Sequence, residues 1–240
     1  MRTHRFYTPQ TLGVNNKIAL DKEVAHHCIQ VLRYQVGNPL VLFNGDGQDY
    51  QAVIEKIEGK KATVHIASSC TPDNESPLRI HLYQSLAKGD KMDFIVQKSV
   101  ELGVAEITPI ITQRSNVKLD QKRMNKKLEH WQKVAISACE QSGRATIPAI
   151  NPVVQIGELP ALVAENAIYL EPKASVKISQ LELDGSLSLF IGPEGGFSDQ
   201  DLSQLEQLGT KGISLGPRIL RTETAGLSAI AIVQSHFGDL

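Results

Sequence analysis

From residue 79 onward, short apolar runs alternate with amphipathic helical stretches, and this alternation constrains the fold more than any other feature of the 240 residues. Residues 79–85, 106–111, 167–170, 187–191 and 213–215 read as strands. Residues 90–102, 199–208 and 222–237 read as helices. So does the stretch carrying Met124, Leu128, Trp131, Ala135 and Ala138, whose apolar positions lie four and three apart. Parallel strands need crossover connections, so strands followed by helices imply a largely parallel sheet covered on both faces. The expected class is α/β.

Before residue 70 the period changes. Residues 17–20 read as a short strand, and Asp21 is placed to cap a helix over residues 22–32, with Val24, Cys28, Val31 and Leu32 on one face. Residues 41–43 form an apolar strand stopped by Asn44-Gly45-Asp46-Gly47. Tyr50, Ala52 and Ile54 then alternate with polar neighbours, as do Ala62, Val64 and Ile66 across a turn at Glu58-Gly59-Lys60. That pattern predicts a small β-barrel. The polar run SSCTPDNESP at residues 68–77 marks the boundary. The expected division is a first domain over residues 1–70, a linker over 71–77 and a second domain over 78–240.

Hydrophobic residues make up 41% of the chain, enough for a real core, and no apolar run reaches bilayer length. The N-terminus has no apolar signal region, so a cytoplasmic location is expected. Cys28, Cys70 and Cys139 lie far apart without CxxC spacing, and neither HExxH nor another histidine pattern suggests a metal. The net charge of −1 conceals an asymmetry. Residues 111–150 carry eight Lys/Arg against three Asp/Glu, whereas residues 151–206 carry two against nine. With Arg2, Arg5 and Arg33 near the start, several basic segments could converge on a polyanion such as RNA. Arg114 follows a strand, and Gln141 and Arg144 follow the long basic helix, which makes them further candidates for RNA contact.

Two loops carry the candidate chemistry. In LFIGPEGGFS, an apolar strand runs into three glycines and then into a helix that Ser198 and Asp201 can cap as S-x-x-D. A sharp β-to-α turn needs one or two glycines; three, with Pro193 and Glu194 between them, exceed that need. Ligands of open α/β sheets bind beyond the carboxyl ends of strands, where glycine lets backbone approach closely. Ile191, Gly192, Pro193, Glu194, Gly195 and Gly196 are therefore candidate ligand contacts. The loop is neither G-x-G-x-x-G nor a P-loop, and Glu194 would repel a polyphosphate. A cofactor with a positive charge, an adenosine and no phosphates suits it better. The second loop, LGPRILRTETA, again leads from a short strand into a helix. Leu215, Gly216, Ile219 and Leu220 supply an ordered, apolar wall for an adenine, while Arg221, Thr222, Thr224 and Ala225 open the last helix. Leu170, at the end of the strand over residues 167–170, is a further candidate cofactor contact.

IGPEGGFS followed by LGPRILRTETA resembles the ribosomal RNA small-subunit methyltransferase E family of the SPOUT superfamily. Arg5-Phe6-Tyr7, QKSVELG at residues 97–103 and CEQSGR at residues 139–144 are similar to the same family, whereas residues 145–186 match nothing in it. The resemblance implies a PUA-like RNA-binding barrel and a C-terminal parallel sheet with a deep trefoil knot. It implies S-adenosylmethionine as cofactor, a homodimer through the C-terminal domain, and methylation of uridine N3 in 16S rRNA of the small ribosomal subunit. The last helix, 222–237, is apolar almost all round, which independently suits a second chain against it.

If uracil N3 is the nucleophile, its proton must leave, and Arg221, Glu223 and Glu194 are the candidate catalytic residues. Two other readings compete. GISLG at residues 212–216 fits the G-x-S-x-G elbow of α/β-hydrolase-type serine esterases, with Glu223 and His236 in the hydrolase order. That elbow needs a helix straight after the serine, and here Gly216-Pro217 intervene. A non-catalytic RNA-binding assembly protein would suit the basic segments but leaves two glycine-bearing loops at strand ends without a purpose.

Overall fold

The structure, a computed structural model, describes residues 3–115, 120–159 and 166–240. Met1–Glu75 together with Cys139–Ile147 form one compact unit; Ser76–Ala138 together with Pro148–Leu240 form the other. The first unit is thus not one continuous stretch of chain.

In the first unit β1 (Arg5–Tyr7), β2 (Lys17–Ala19), β3 (Pro39–Phe43), β4 (Asp49–Glu58) and β5 (Lys61–Cys70) form a sheet in the order β1-β3-β4-β5-β2. The alternation of β4 and β5 sends Tyr50, Ala52, Ile54, Ala62, Val64 and Ile66 into the core with Leu40 and Leu42. β5 runs to Cys70, pairing Ser68 with Gln51 and Ser69 with Tyr50, so the polar run begins as an exposed strand end rather than a linker. The expected helix over residues 22–32 splits into α1 (Lys22–His26) and a π-helical turn, His27–Val31. The longer turn shifts the angular register, and Val31, expected inside, is 60% exposed. Asp21 makes no capping bond; its carboxylate accepts from Thr8 Oγ1 at 2.8 Å and from Gln10 Nε2 at 3.3 Å.

The second unit contains β6 (Arg79–Ser85), α2 (Lys91–Glu101), β7 (Glu106–Ile111), most of α3 (Gln121–Ser142), β8 (Ala149–Ile150), β9 (Val154–Gln155), β10 (Ala167–Leu170), β11 (Ser186–Ile191), α4 (Asp199–Gln207), β12 (Lys211–Ile213) and α5 (Thr222–Phe237). Its sheet order is β12-β10-β11-β6-β7-β8, with β9 also on β7, and every pairing is parallel. The α/β class with a parallel sheet stands. β11 lies in the middle, and its run Leu187–Ile191 is buried without alternation, as a strand covered on both faces must be. Tyr83 on β6 stacks on Phe190 of β11, with centroids 4.3 Å apart and planes 9° from parallel. β12 ends at Ile213, two residues before the expected strand end, and Ser214 instead bridges to Lys177. α5 packs on α2 and β11 through Gly226, Ala229, Ile230 and Val233.

Candidate cofactor-binding site

The site forms at the carboxyl ends of β10, β11 and β12, where a parallel sheet leaves room for ligands. β11 delivers the chain into Gly192-Pro193-Glu194-Gly195-Gly196. Gly196 turns it at φ +67°, with its N–H donating to Pro193 O at 2.9 Å. Phe197 then anchors the loop in the core against Tyr169. Ser198 and Asp201 form the expected capping box of α4: Asp201 N donates to Ser198 Oγ at 3.1 Å, and Ser198 N to Asp201 Oδ2 at 2.9 Å. Two residues beyond β7 brace this turn. Gln113 N donates to Asp201 Oδ1, and Arg114 Nη1 donates to Gly195 O and Phe197 O, both at 3.0 Å. The other side is held by Thr222, which donates to Gly192 O at 2.7 Å and accepts from the fully buried Gln84 Nε2 at 3.0 Å. One hydroxyl therefore ties the glycine loop, the end of β6 and the start of α5.

The second loop faces the first across an open cleft. Leu170, Pro172, Ile191, Phe197, Ile213, Leu215 and Leu220 give it apolar walls. Gly192, Gly196 and Gly216 belong to the lining, and Gly216 sits at φ +138°, which favours glycine. The charged lining is Glu171, Glu194 and Arg218. Such walls fit a flat heterocycle paired by backbone groups. The two carboxylates suit a cationic centre and oppose a polyphosphate.

Most residues expected to bind a cofactor line this cleft, namely Leu170, Ile191, Gly192, Pro193, Glu194, Gly196, Leu215, Gly216, Ile219, Leu220, Thr222 and Ala225. Ile219, 87% exposed, stands at its rim. Gly195, Arg221 and Thr224 are exposed and lie outside the lining. Glu171, Pro172, Phe197, Ile213 and Arg218 belong to it without having been anticipated. Glu194 and Glu223 are brought together by a residue that sequence reasoning passed over. Lys91 Nζ lies 3.2 Å from Glu194 Oε1 and 3.4 Å from Glu223 Oε2. The hydrogen bond to Glu194 raises the Lys91 pKa against the opposing effect of burial. For Glu194 partial burial pushes upward, but its own backbone amide, Lys91 and the Lys88 amide outweigh that and hold it below the usual carboxylate range. Lys91 opens the helix after β6, at the same kind of strand–loop–helix junction that marks the two glycine loops. That position was the available signal.

The candidate RNA residues divide. Arg2 lies outside the described residues. Arg33 and Gln141 are exposed. Arg5 is engaged internally: Nη1 and Nη2 lie 2.9 and 2.8 Å from the Asp49 carboxylate and also donate to the carbonyls of Gly143 and Arg144. Arg144 is buried, with Nε and Nη2 on the two Glu75 oxygens at 3.0 and 2.6 Å. Arg114 braces the glycine loop. Arg5, Arg144 and Arg114 thus each carry internal bonds, Arg5 and Arg144 with most of the guanidinium and the exposed Arg114 through Nη1 alone. Arg5→Ala should cost about 3–5 kcal/mol, the usual result of stranding a buried partner. Arg33→Glu should leave stability within about 0.5 kcal/mol and weaken RNA binding instead. Urea denaturation alongside salt-dependent RNA titration checks both.

The hydrolase elbow is not built. Ser214 Oγ donates to Val176 O at 3.3 Å, and the chain continues into the Leu215–Leu220 loop rather than a helix. His236 Nδ1 lies 2.9 Å from Ile232 O. Among the described residues no helix is long and apolar enough to cross a membrane, and no group of three or more His, Cys, Asp or Glu could hold a metal ion.

Comparison with known proteins agrees with this geometry. The RNA methyltransferase domain family matches residues 74–234, and the RNA methyltransferase PUA domain family matches residues 20–67. Ribosomal RNA small subunit methyltransferase E of Buchnera aphidicola subsp. Schizaphis graminum is 38% identical over all of this chain and 98% of its own. The Bacillus subtilis protein of that name is 32% identical, over 94% of this chain and 93% of its own. The crystal structure of a ribosomal RNA small subunit methyltransferase E from Neisseria gonorrhoeae bound to S-adenosyl methionine superposes with a TM-score of 0.92. It is 38% identical and covers both chains completely. A Legionella pneumophila structure with bound SAM gives a TM-score of 0.94 at 40% identity, again covering both chains completely.

Proposed function

The chain belongs to the ribosomal RNA small subunit methyltransferase E family, and from that premise we propose that it methylates N3 of a uridine in 16S rRNA with S-adenosylmethionine as donor. The observation that carries this reading is the cleft between the two glycine-bearing loops, with apolar walls, three glycines and a charged lining of Glu171, Glu194 and Arg218 in which carboxylates outnumber cations. Ile191, Leu215 and Leu220 would flank the adenine, Gly192, Gly196 and Gly216 would offer backbone polar groups, and Glu194 and Glu171 would face positive charge. Bound there, the cofactor supplies a methyl group already activated on a sulfonium.

The remaining chemistry falls to the chain. It must hold the uracil in line, exclude water and make loss of the N3 proton easier. Glu194 is held anionic, which makes it a poor base for a weak acid, so we assign the larger effect to Arg221. Its guanidinium can donate to the O2 and O4 oxygens, onto which negative charge spreads as the proton leaves. Glu223 steadies the same helix start.

We further read residues 1–70 as a PUA-like RNA-binding barrel, residues 71–77 as the linker and residues 78–240 as the methyltransferase domain with a deep trefoil knot. Arg2, Arg33, Arg114 and Gln141 are the foremost RNA contacts in this reading, with Arg5 and Arg144 contributing alongside their internal bonds. A homodimer through the C-terminal domain is supported by α5, where Leu227, Ala231 and Ile232 are only half-buried in one chain. The place of work is the cytoplasm, on the small ribosomal subunit. Nucleoside analysis of small-subunit rRNA from cells lacking this protein tests the assignment: 3-methyluridine should disappear, and its persistence at wild-type level would overturn the reading.

A further inference from the structure

Of the charges lining the cleft, Glu171 and Arg218 cancel, and Glu194 belongs to a charged triad that composition alone does not reveal. Glu194 lines the cleft, Lys91 stands on its carboxylate at 3.2 Å, and Glu223 closes the triad from the start of α5. Oε2 of Glu223 is sealed from solvent and makes no hydrogen bond among the described residues, and the Lys91 ammonium contacts it at 3.4 Å as an ion pair. The triad therefore carries a net charge of −1, where the two carboxylates alone would carry −2. Lys91 comes from the β6–α2 junction, more than a hundred residues away in sequence from either carboxylate, so the fold has brought a cation to a place where two anions converge.

We propose that Lys91 is a positioning residue that sets the cleft's discrimination between the cofactor and its spent product, by neutralising one of the two carboxylates of the triad, Glu194 and Glu223. This rests on the reading of the cleft as the S-adenosylmethionine site. The donor carries one positive charge more than S-adenosylhomocysteine, because the carbon–sulfur bond breaks with its electron pair returning to sulfur and the sulfonium becomes a neutral thioether. A residual charge of −1 favours the charged form and lets the neutral product leave. A charge of −2 would grip the donor harder and would also repel the phosphates and the developing uracil anion that must approach the same cleft. Lys91 fits that task because Glu194 and Glu223 keep it protonated.

The test is a ladder of net charge read by calorimetry as the ratio of S-adenosylmethionine to S-adenosylhomocysteine affinity, with no turnover involved. Lys91→Met gives −2, the wild type −1, Lys91→Met combined with Glu194→Gln gives −1 again, and Glu194→Gln alone gives 0. The preference for the charged ligand should change about twofold to fivefold per step, the scale of partly exposed ion interactions. It should be highest in Lys91→Met, equal in the wild type and the double variant, and lowest in Glu194→Gln, and the steps should shrink in high salt. A merely structural staple would not be restored by removing a second charge. An equal ratio in all four proteins, or a double variant that fails to return to the wild-type ratio, overturns the proposal. Should Lys91→Met not fold, Lys91→Gln makes the same charge change and should raise the preference as far, and Lys91→Arg should keep the wild-type ratio. A wild-type protein that binds neither ligand would instead refute the reading of the cleft itself.

Discussion

Arg221→Ala should slow methyl transfer by roughly 10²–10³, the usual cost of losing one preorganised donor at a developing anion. Affinity for S-adenosylmethionine should change far less, because Arg221 lies outside the lining of the cleft. The expectation follows from the acidity of the nucleophile. A uracil N3–H is mostly protonated at neutral pH, and Glu194, a carboxylate lining the cleft, is held low by its hydrogen bonds and by Lys91. Neither that carboxylate nor an ordinary Glu with a pKa of about 4.3 abstracts such a proton efficiently. Stabilising the anion is the remaining route, and a planar guanidinium suits a charge shared between O2 and O4 better than an ammonium does. Arg221 is exposed immediately before Thr222, whose hydroxyl holds Gly192, so it stands at the junction of both loops. The deficit should shrink as pH rises, since uracil deprotonated by solvent needs less help. Single-turnover rates of both proteins across the range in which they stay folded measure this. A ratio that does not vary with pH would mean that Arg221 only positions RNA.

Gly196→Val should abolish measurable cofactor binding and leave the fold standing. Gly196 has φ +67°, where a β-branched residue costs on the order of 1–3 kcal/mol. A Cβ added there meets nothing within 4 Å, so the core is not disturbed and the new side chain enters the space beside the loop that lines the cleft. The variant loop can relax to relieve that strain, and re-forming the cleft's shape around a ligand then costs it. Even the strain alone, at its upper end, corresponds to roughly a hundredfold in affinity. Calorimetry with S-adenosylmethionine should show no heat in the variant, with its thermal transition still cooperative. Wild-type affinity in Gly196→Val would remove the glycine loop from the site.

The contrast between what could be read from the chain and what could not has physical causes. Central parallel strands such as β11 are buried on both faces, and an uninterrupted apolar run announces them. β8 and β9 have two residues each, too short to carry a period. The π-helical turn at His27–Val31 breaks the 3.6-residue spacing on which the inward face of that segment was assigned. The two loops are contiguous in sequence, so their glycines were visible together, and nearly all the cleft lining in those loops was anticipated. Lys91, Gln84, Glu171 and Pro172 reach the site only through the sheet order. Charge misled in the opposite direction. Arg5 and Arg144 look like free cations in the sequence, but their partners, Asp49 and Glu75, lie 44 and 69 residues away and become neighbours only on folding. A resemblance carried the function further than periodicity could, because spacing says where a ligand goes and not which nucleotide it modifies.

The central claim is a methyl group placed on N3 of a uridine in small-subunit rRNA. Purified protein incubated with methyl-labelled S-adenosylmethionine and unmodified small ribosomal subunits, followed by complete digestion and mass analysis of nucleosides, tests it directly. The account predicts label in 3-methyluridine at one site in 16S rRNA, absent when Gly196→Val replaces the wild type. Label in any other nucleoside, or intact subunits left unlabelled by a protein that binds the cofactor, would contradict it.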